Sequence, residues 1–207
     1  MQSREKRCSA ILLAAATSLI LGCAETPVET ERVPEQPPAE AQASPAAVVS
    51  KEAFLASALD GDLATIEAGL AGGADIESAT AEGSTVLMLA AFNGHTDVVG
   101  ALLEHGANIN HRDGIGRTAL MYASSGPYAD TVKLLLEKGA EVNLVDEHEQ
   151  WTALMFAGGE GLAEVIEILL AHGADTALVD ADGETALTFA ERNGHEEAAG
   201  LLKAAME

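Results

Sequence analysis

Four histidines recur at fixed places in this sequence and could carry proton-transfer or metal chemistry. His95 and His195 each follow a glycine, whereas His105 and His172 each precede one. Histidine acts as an acid, a base or a metal ligand near neutral pH, so a site shared across these positions is conceivable. Their placement beside turn glycines favours a structural role for the first pair and a solvated position for the second.

Two other sets of side chains resemble metal sites. The segment 180–183, Asp-Ala-Asp-Gly, carries carboxylates and a glycine as calcium loops do, but the glycine comes fourth rather than sixth, so a turn is the better interpretation. Met88, Met121 and Met155 offer soft sulfur atoms, but their regular spacing favours packing in a core. We therefore predict no metal site and no cofactor.

Nothing in the sequence indicates an enzyme. It contains no Gly-rich phosphate loop, no Gly-x-Ser-x-Gly and no His-Glu-x-x-His, and both cysteines precede residue 24. The formal net charge of −22 argues against nucleic acid as a partner, because phosphate backbones would be repelled. The same charge argues against contact with an anionic membrane surface, except through a covalent anchor.

The first 50 residues are predicted to be export and tether segments. Residues 1–23 have a basic start and a short apolar run that ends in Ile20-Leu-Gly-Cys23, which resembles the lipobox of bacterial lipoproteins. The resemblance implies a lipidated Cys23 in the cell envelope, anchored in a membrane facing the periplasm; Ala24 in place of Asp favours the outer membrane. An ordinary signal peptide or an uncleaved anchor is the alternative. Residues 24–50, rich in Pro and Glu, predict a disordered tether.

The rest of the chain is built on two repeated phrases. Thr85, Thr118, Thr152 and Thr185 each open a phrase of the type Thr-x-Leu-x-x-Ala and are 33, 34 and 33 residues apart. A Gly-Ala phrase recurs with nearly the same spacing, beginning at residues 73, 106, 139 and 173. A fixed period in this range is typical of repeat proteins.

Each repeat has the signals of two helices joined by a turn. The threonines are good N-caps for a short first helix, whose apolar residues then recur at helical spacing. Glycines such as Gly94, Gly161 and Gly194 permit the turn to a second helix. Gly106, Gly139 and Gly173 are placed to end that second helix in a left-handed conformation.

These residues resemble the ankyrin repeat family over roughly residues 50–207. Asp113-Gly-Ile-Gly-Arg-Thr118 matches its turn, and Gly94-His95 matches its middle. The resemblance implies an all-α solenoid of stacked helix-turn-helix units with projecting hairpin loops, within a domain spanning 51–207. The predicted units are an N-terminal cap at 51–78, full repeats at 79–111, 112–144 and 145–178, and a C-terminal cap at 179–207.

The same resemblance implies that a protein partner is gripped by the loop tips and the exposed end of each first helix. The positions that this places at the partner are Phe92, Asn93, Ile115, Arg117, Glu147, His148, Trp151, Glu160 and Arg192. The third loop has one extra residue and Gln150 in place of a glycine. We predict that Trp151 is partly exposed at this loop tip and anchors the partner, with Phe92 and Ile115 beside it. The alternative is that Trp151 packs over the neighbouring loop.

The sequence thus predicts a monomeric, non-catalytic protein-binding module held in the cell envelope by a lipid. An inhibitor or immunity protein, which blocks a secreted toxin or an envelope enzyme, is a second possibility, since strong acidity would help it to meet a basic target. An enzyme with a site hidden across repeats is a third, and the missing nucleophile–base motif argues against it.

Overall fold

Ten helices make up the part of the chain, residues 49–207, that the computed structural model describes. They are Lys51–Asp60 (α1), Leu63–Ala71 (α2), Val86–Phe92 (α3), Thr96–Glu104 (α4), Ala119–Ala123 (α5), Ala129–Glu137 (α6), Ala153–Glu160 (α7), Ala163–Ala171 (α8), Ala186–Asn193 (α9) and Glu196–Ala204 (α10). No strand occurs among these residues beyond an isolated bridge between Ala79 and Thr85. The all-α prediction is confirmed. The predicted signal, Cys23 and nearly all of the tether lie outside the described residues.

The helices stack in two layers. In the inner layer α1 packs on α3, α3 on α5, α5 on α7, and α7 on α9; the outer layer repeats this order with α2, α4, α6, α8 and α10. Each inner helix is followed by an outer helix, so one unit contacts mainly its two neighbours. This is the contact pattern expected of a solenoid. None of the described helices is both long and apolar enough to cross a membrane.

The repeated threonines begin the inner helices as predicted. Thr85, Thr118, Thr152 and Thr185 each accept a hydrogen bond from the amide three residues later. Such a bond satisfies one of the amides that a first turn leaves without a partner, and it stabilises a helix by about 1 kcal/mol. These short helices need the caps, because each has few residues over which to recover the cost of nucleation.

The core consists of small and medium apolar side chains between the layers. Met88, Met121 and Met155 are each 1% exposed, which confirms that they pack in the core. Gly158 shows how closely the inner helices approach, because a Cβ atom there would lie 2.7 Å from the carbonyl oxygen of Ala186. Alanine and glycine on the inner helices are therefore what allows α7 and α9 to touch.

The loops before the inner helices, called fingers here, join their neighbours through the main chain. They are residues 79–84, 112–117, 145–151 and 179–184, numbered one to four. Gly114 donates to the carbonyl of Glu82, Glu147 to that of Ile115, and Ala181 to that of Glu149. Gln150 takes the backbone conformation that glycine holds in the other fingers, with a φ of 60°. An L residue in that region costs roughly 1–2 kcal/mol, so the third finger carries strain that the others avoid.

Candidate partner-binding surface

A row of side chains runs along the inner helices on the side of the fingers. We define the finger-side face as the solvent side of α1, α3, α5, α7 and α9 together with the four fingers. The fifth residue of the first three Thr phrases lies on it, and that residue is Leu89, Tyr122 or Phe156. Phe189, at the same place in the fourth phrase, is 2% exposed and lies beneath the face. The residue just before each Thr lies beside this row. It is Ser84, Arg117, Trp151 or Glu184.

Each of the last three fingers is organised by an aspartate whose carboxylate faces inward. Asp113 accepts amide hydrogen bonds from Ile115 and Arg117 through its Oδ1 atom. The other carboxylate oxygen accepts the hydroxyl proton of Tyr122 at 2.6 Å. Asp180 repeats the plan, with amides from its own finger on one oxygen and the indole N–H of Trp151 at 3.3 Å from the other. These aspartates thus lock the fingers to the aromatic row.

Asp146 is the most buried of the three, at 1% exposure. Its Oδ1 atom accepts the amides of His148 and Glu149 and, at 3.4 Å, that of Trp151. Its Oδ2 atom has no hydrogen bond and lies 3.5 Å from Nε of Arg117, which comes from the preceding finger. This separation indicates an ion pair rather than a short hydrogen bond, and it neutralises a carboxylate that is removed from water.

Tyr122 joins the first two fingers and carries a shifted pKa. Burial, followed by the hydrogen bond to Asp113, raises the pKa of Tyr122 above its ordinary value of 10.0, while a hydrogen bond with Ser84 opposes the rise. The folded state therefore favours the neutral phenol. Stability from this group is complete below pH 10 and is lost as the pH rises through the higher folded value.

We expect Tyr122→Phe to lower the free energy of unfolding by about 1.5 kcal/mol, because a hydrogen bond to a carboxylate is removed. The variant should also lose less stability than the wild type above pH 10. Thermal midpoints measured across this range check both effects. Tyr128→Phe is the control, since Tyr128 packs its ring against Gly94. Equal alkaline loss in the wild type and Tyr122→Phe would show that Tyr122 is not the responsible group.

The C-terminal half of the finger-side face is covered by arginines. The indole of Trp151 lies 5.0 Å from the ring of Phe156 and 4.7 Å from that of Phe189, measured between centroids. Arg117 lies over Phe156, and Arg192 over Phe189. Arg192 also holds Glu184 with two short hydrogen bonds. In this half, the aromatic rings and the arginines are therefore largely in contact with one another and with carboxylates of the protein itself.

Trp151 is partly exposed, as predicted, but its indole turns back onto the helices and reaches Asp180 in the next finger. This is the geometry of the alternative, in which the side chain packs over the neighbouring finger. Phe92 does not contact Trp151. The centroid of its ring lies 5.9 Å from that of Tyr122, which belongs to the unit before the one that contains Trp151.

The remaining predicted residues fall into two groups. Phe92 and Ile115 are 46% and 40% exposed, and Glu147, His148 and Glu160 are exposed as well. Asn93 instead serves the stack, because its amide donates to the carbonyl of Leu59 at 2.7 Å. Its role is therefore at least partly structural.

Sequence reasoning missed several residues on this face or directly beneath it. Tyr122, Phe156 and Phe189 were visible as an aromatic at one position of three successive phrases, and that recurrence was a usable signal. Leu59, which is 38% exposed, stands 33 residues before Phe92, at the same place in the first unit. The aspartate–arginine and aspartate–tryptophan pairs join different fingers and had no such signal.

The histidines of the turns are engaged with the main chain. A ring nitrogen of His95 lies 2.9 Å from the carbonyl oxygen of Leu59, and the same atom of His195 lies 3.0 Å from that of Gly159. Both contacts agree with a structural role. No group of three or more His, Cys, Asp or Glu side chains with metal-site geometry occurs within residues 49–207.

One comparison with known proteins identifies the repeats. A family model described as ankyrin repeats in three copies matches residues 54–146 and 142–206. No curated protein matches the chain. The matched segments span most of the residues that the structure describes, and they confirm the resemblance predicted from the repeated phrases.

Proposed function

The chain belongs to the ankyrin repeat family, and from this we infer that it is a non-catalytic module that binds a protein partner through its finger-side face. Proteins of this family generally bind other proteins and do not catalyse reactions. The observation that carries the proposal is the exposure of Phe92 and Ile115 on that face. Large apolar side chains that remain in water on a rigid scaffold are typical of interaction sites.

We further propose that the module is tethered in a bacterial cell envelope. The support is the sequence ending in Cys23, followed by the segment 24–50, whose composition suits a spacer. A lipid on Cys23 would hold the repeats near a membrane, and the spacer would give them reach. A membrane facing the periplasm, in particular the outer membrane, is the proposed location.

Cys23→Ala is expected to move the protein from the detergent phase to the aqueous phase. The physical reason is that acyl chains on Cys23, at about 0.8 kcal/mol for each buried CH₂ group, would hold the mature protein in the membrane. Detergent partitioning and mass spectrometry of the mature N-terminus measure the result. Cys8→Ala is the control, because Cys8 leaves with the signal. An unmodified Cys23 in the mature protein would disprove the anchor and leave the binding function untouched.

The strong negative charge favours one second candidate, an inhibitor or immunity protein. A net charge of −22 would accelerate association with a basic toxin or enzyme. Affinity isolation from envelope fractions distinguishes the two roles. A single stoichiometric toxin-like protein would indicate an inhibitor, while several envelope proteins would indicate a scaffold.

A further inference from the structure

The N-terminal half of the finger-side face exposes apolar side chains to solvent, whereas arginines cover the aromatic rings of the C-terminal half. Five large apolar residues are exposed among those that the structure describes, and three of them, Leu59, Phe92 and Ile115, lie on this half. Leu59 and Phe92 occupy the same place in successive units, and Phe92 contacts the ring of Tyr122. Tyr122 reaches Asp113, whose carboxylate also holds the amide of Ile115. Leu59, Phe92, Tyr122 and Ile115 thus follow one another along one side of the stack, from α1 to the second finger, and together are called the strip here.

Exposed carboxylates flank the apolar end of this strip. Glu82 accepts the amide of Gly114 through its carbonyl, and Glu147 donates its amide to the carbonyl of Ile115. Ile115 is thus bracketed by two exposed glutamates, one in each neighbouring finger. Arg112 approaches Glu147 only to 3.7 Å, and the side chain of Glu147 remains 71% exposed, so its charge stays available to a partner.

The arginines on the finger-side face form ion pairs within the protein. Arg117 pairs with the buried Asp146, and Arg192 pairs with Glu184. Both guanidinium groups also lie over aromatic rings. Arg112, in the second finger, donates to the carbonyl of Val145 and lies near Glu147, so it too has partners within the protein. A cationic partner would find two exposed carboxylates beside the strip, whereas the arginines nearest to it are already paired.

We propose that this strip binds a cationic amphipathic segment of a partner protein, with apolar side chains on Phe92, Tyr122 and Ile115 and basic side chains at Glu82 and Glu147. The inference rests on the proposed function, because it names the chemistry of the partner for that same face. Apolar contacts at the centre supply affinity, and the glutamate rim supplies orientation and a faster encounter. The covered half, with Trp151 and its arginines, supports the stack beside the strip.

The test uses the full chain and a synthetic amphipathic helix of lysine and leucine as the probe. We expect NMR shifts to concentrate at Leu59, Phe92 and Ile115. Phe92→Ala and the double variant Glu82→Gln/Glu147→Gln should each weaken binding at least tenfold. Val179→Ala is the apolar control, since Val179 is 48% exposed outside the strip. Glu164→Gln/Glu167→Gln is the charge control, because it removes two exposed carboxylates from the outer helix α8.

Binding that both test variants leave unchanged, or that the charge control weakens equally, would overturn the proposal and indicate general attraction to an acidic protein. A helix in which glutamate replaces lysine should not bind, and binding by it would also contradict the proposal. Isolation of partners from envelope fractions separates the two levels of inference. Equal capture of the same partner by wild type and Phe92→Ala rejects the strip but keeps the binding function, whereas capture of none by the wild type counts against the function itself.

Discussion

Replacing Asp146 with alanine is expected to lower the free energy of unfolding by about 3 kcal/mol, the largest loss from any single substitution considered for this protein. The carboxylate is buried and accepts three amides of its own finger. Its removal also leaves the guanidinium of Arg117 without its counter-ion. Loss of one member of a buried ion pair costs about 3–5 kcal/mol, and the partial exposure of Arg117 places this case at the lower end.

Thermal unfolding measures the effect, and a shift of roughly 6–12 °C corresponds to it for a domain of this size. Asp146→Asn should fall between wild type and alanine, because an amide oxygen still accepts from the finger but carries no charge. Glu147→Ala is the control in the same finger, and its exposed side chain predicts a change below about 0.5 kcal/mol. A midpoint for Asp146→Ala equal to that of Glu147→Ala would show that the buried carboxylate does not organise the finger.

Local signals in the sequence were sufficient for the fold. Thr85 and Thr118 were identifiable as caps, because a threonine hydroxyl placed before an apolar helical stripe has a specific use in satisfying the first turn. The glycines after each outer helix were equally readable, since Gly106 and Gly139 take the positive φ that other residues avoid. These caps and turns depend only on residues a few positions away in the sequence, so they can be recognised without knowing how the units stack.

The third finger shows where local reading was sufficient and where it failed. The sequence shows Gln150 where the other fingers have glycine, and Gln150 takes a positive φ of 60° because the finger must turn there whatever residue is present. The direction of the neighbouring indole depended instead on Asp180, which lies in the next finger, 29 residues along the chain. A pair that forms only after two units have stacked leaves no periodic trace in one sequence.

The candidate surface was predicted only in part, because contacts between stacked units also determine which of its side chains remain available. Phe92 and Ile115 were assigned to it from their register in the repeat, and the structure exposes both. Arg117 and Arg192 were assigned by the same register, but each is engaged with a carboxylate and an aromatic ring. The register of a residue in the repeat predicts which side of the stack it faces. It does not predict whether the side chain forms an ion pair or a ring contact with another residue of the stack.

Trp151→Ala is expected to lower the free energy of unfolding by about 2–3 kcal/mol. The indole packs against Phe156 and Phe189 and donates to Asp180, so its removal leaves a gap between two units and a carboxylate without one donor. Truncating a fully buried aromatic costs about 3–5 kcal/mol, and the partial exposure of Trp151 reduces this value. Trp151→Phe should cost about 1 kcal/mol, because the ring contacts remain and the hydrogen bond is lost.

The same two variants separate the structural role of Trp151 from the anchoring role that its place in the repeat predicts. Partner affinity and thermal midpoint are measured on the same sample, at a temperature where both variants are folded. A lower midpoint with unchanged affinity would show that the only tryptophan of the chain joins the third finger to the fourth and does not touch the partner. A tenfold loss of affinity in Trp151→Phe, which keeps the stack, would instead show that the indole N–H or its exposed edge is read by the partner, because the scaffold around it would be intact.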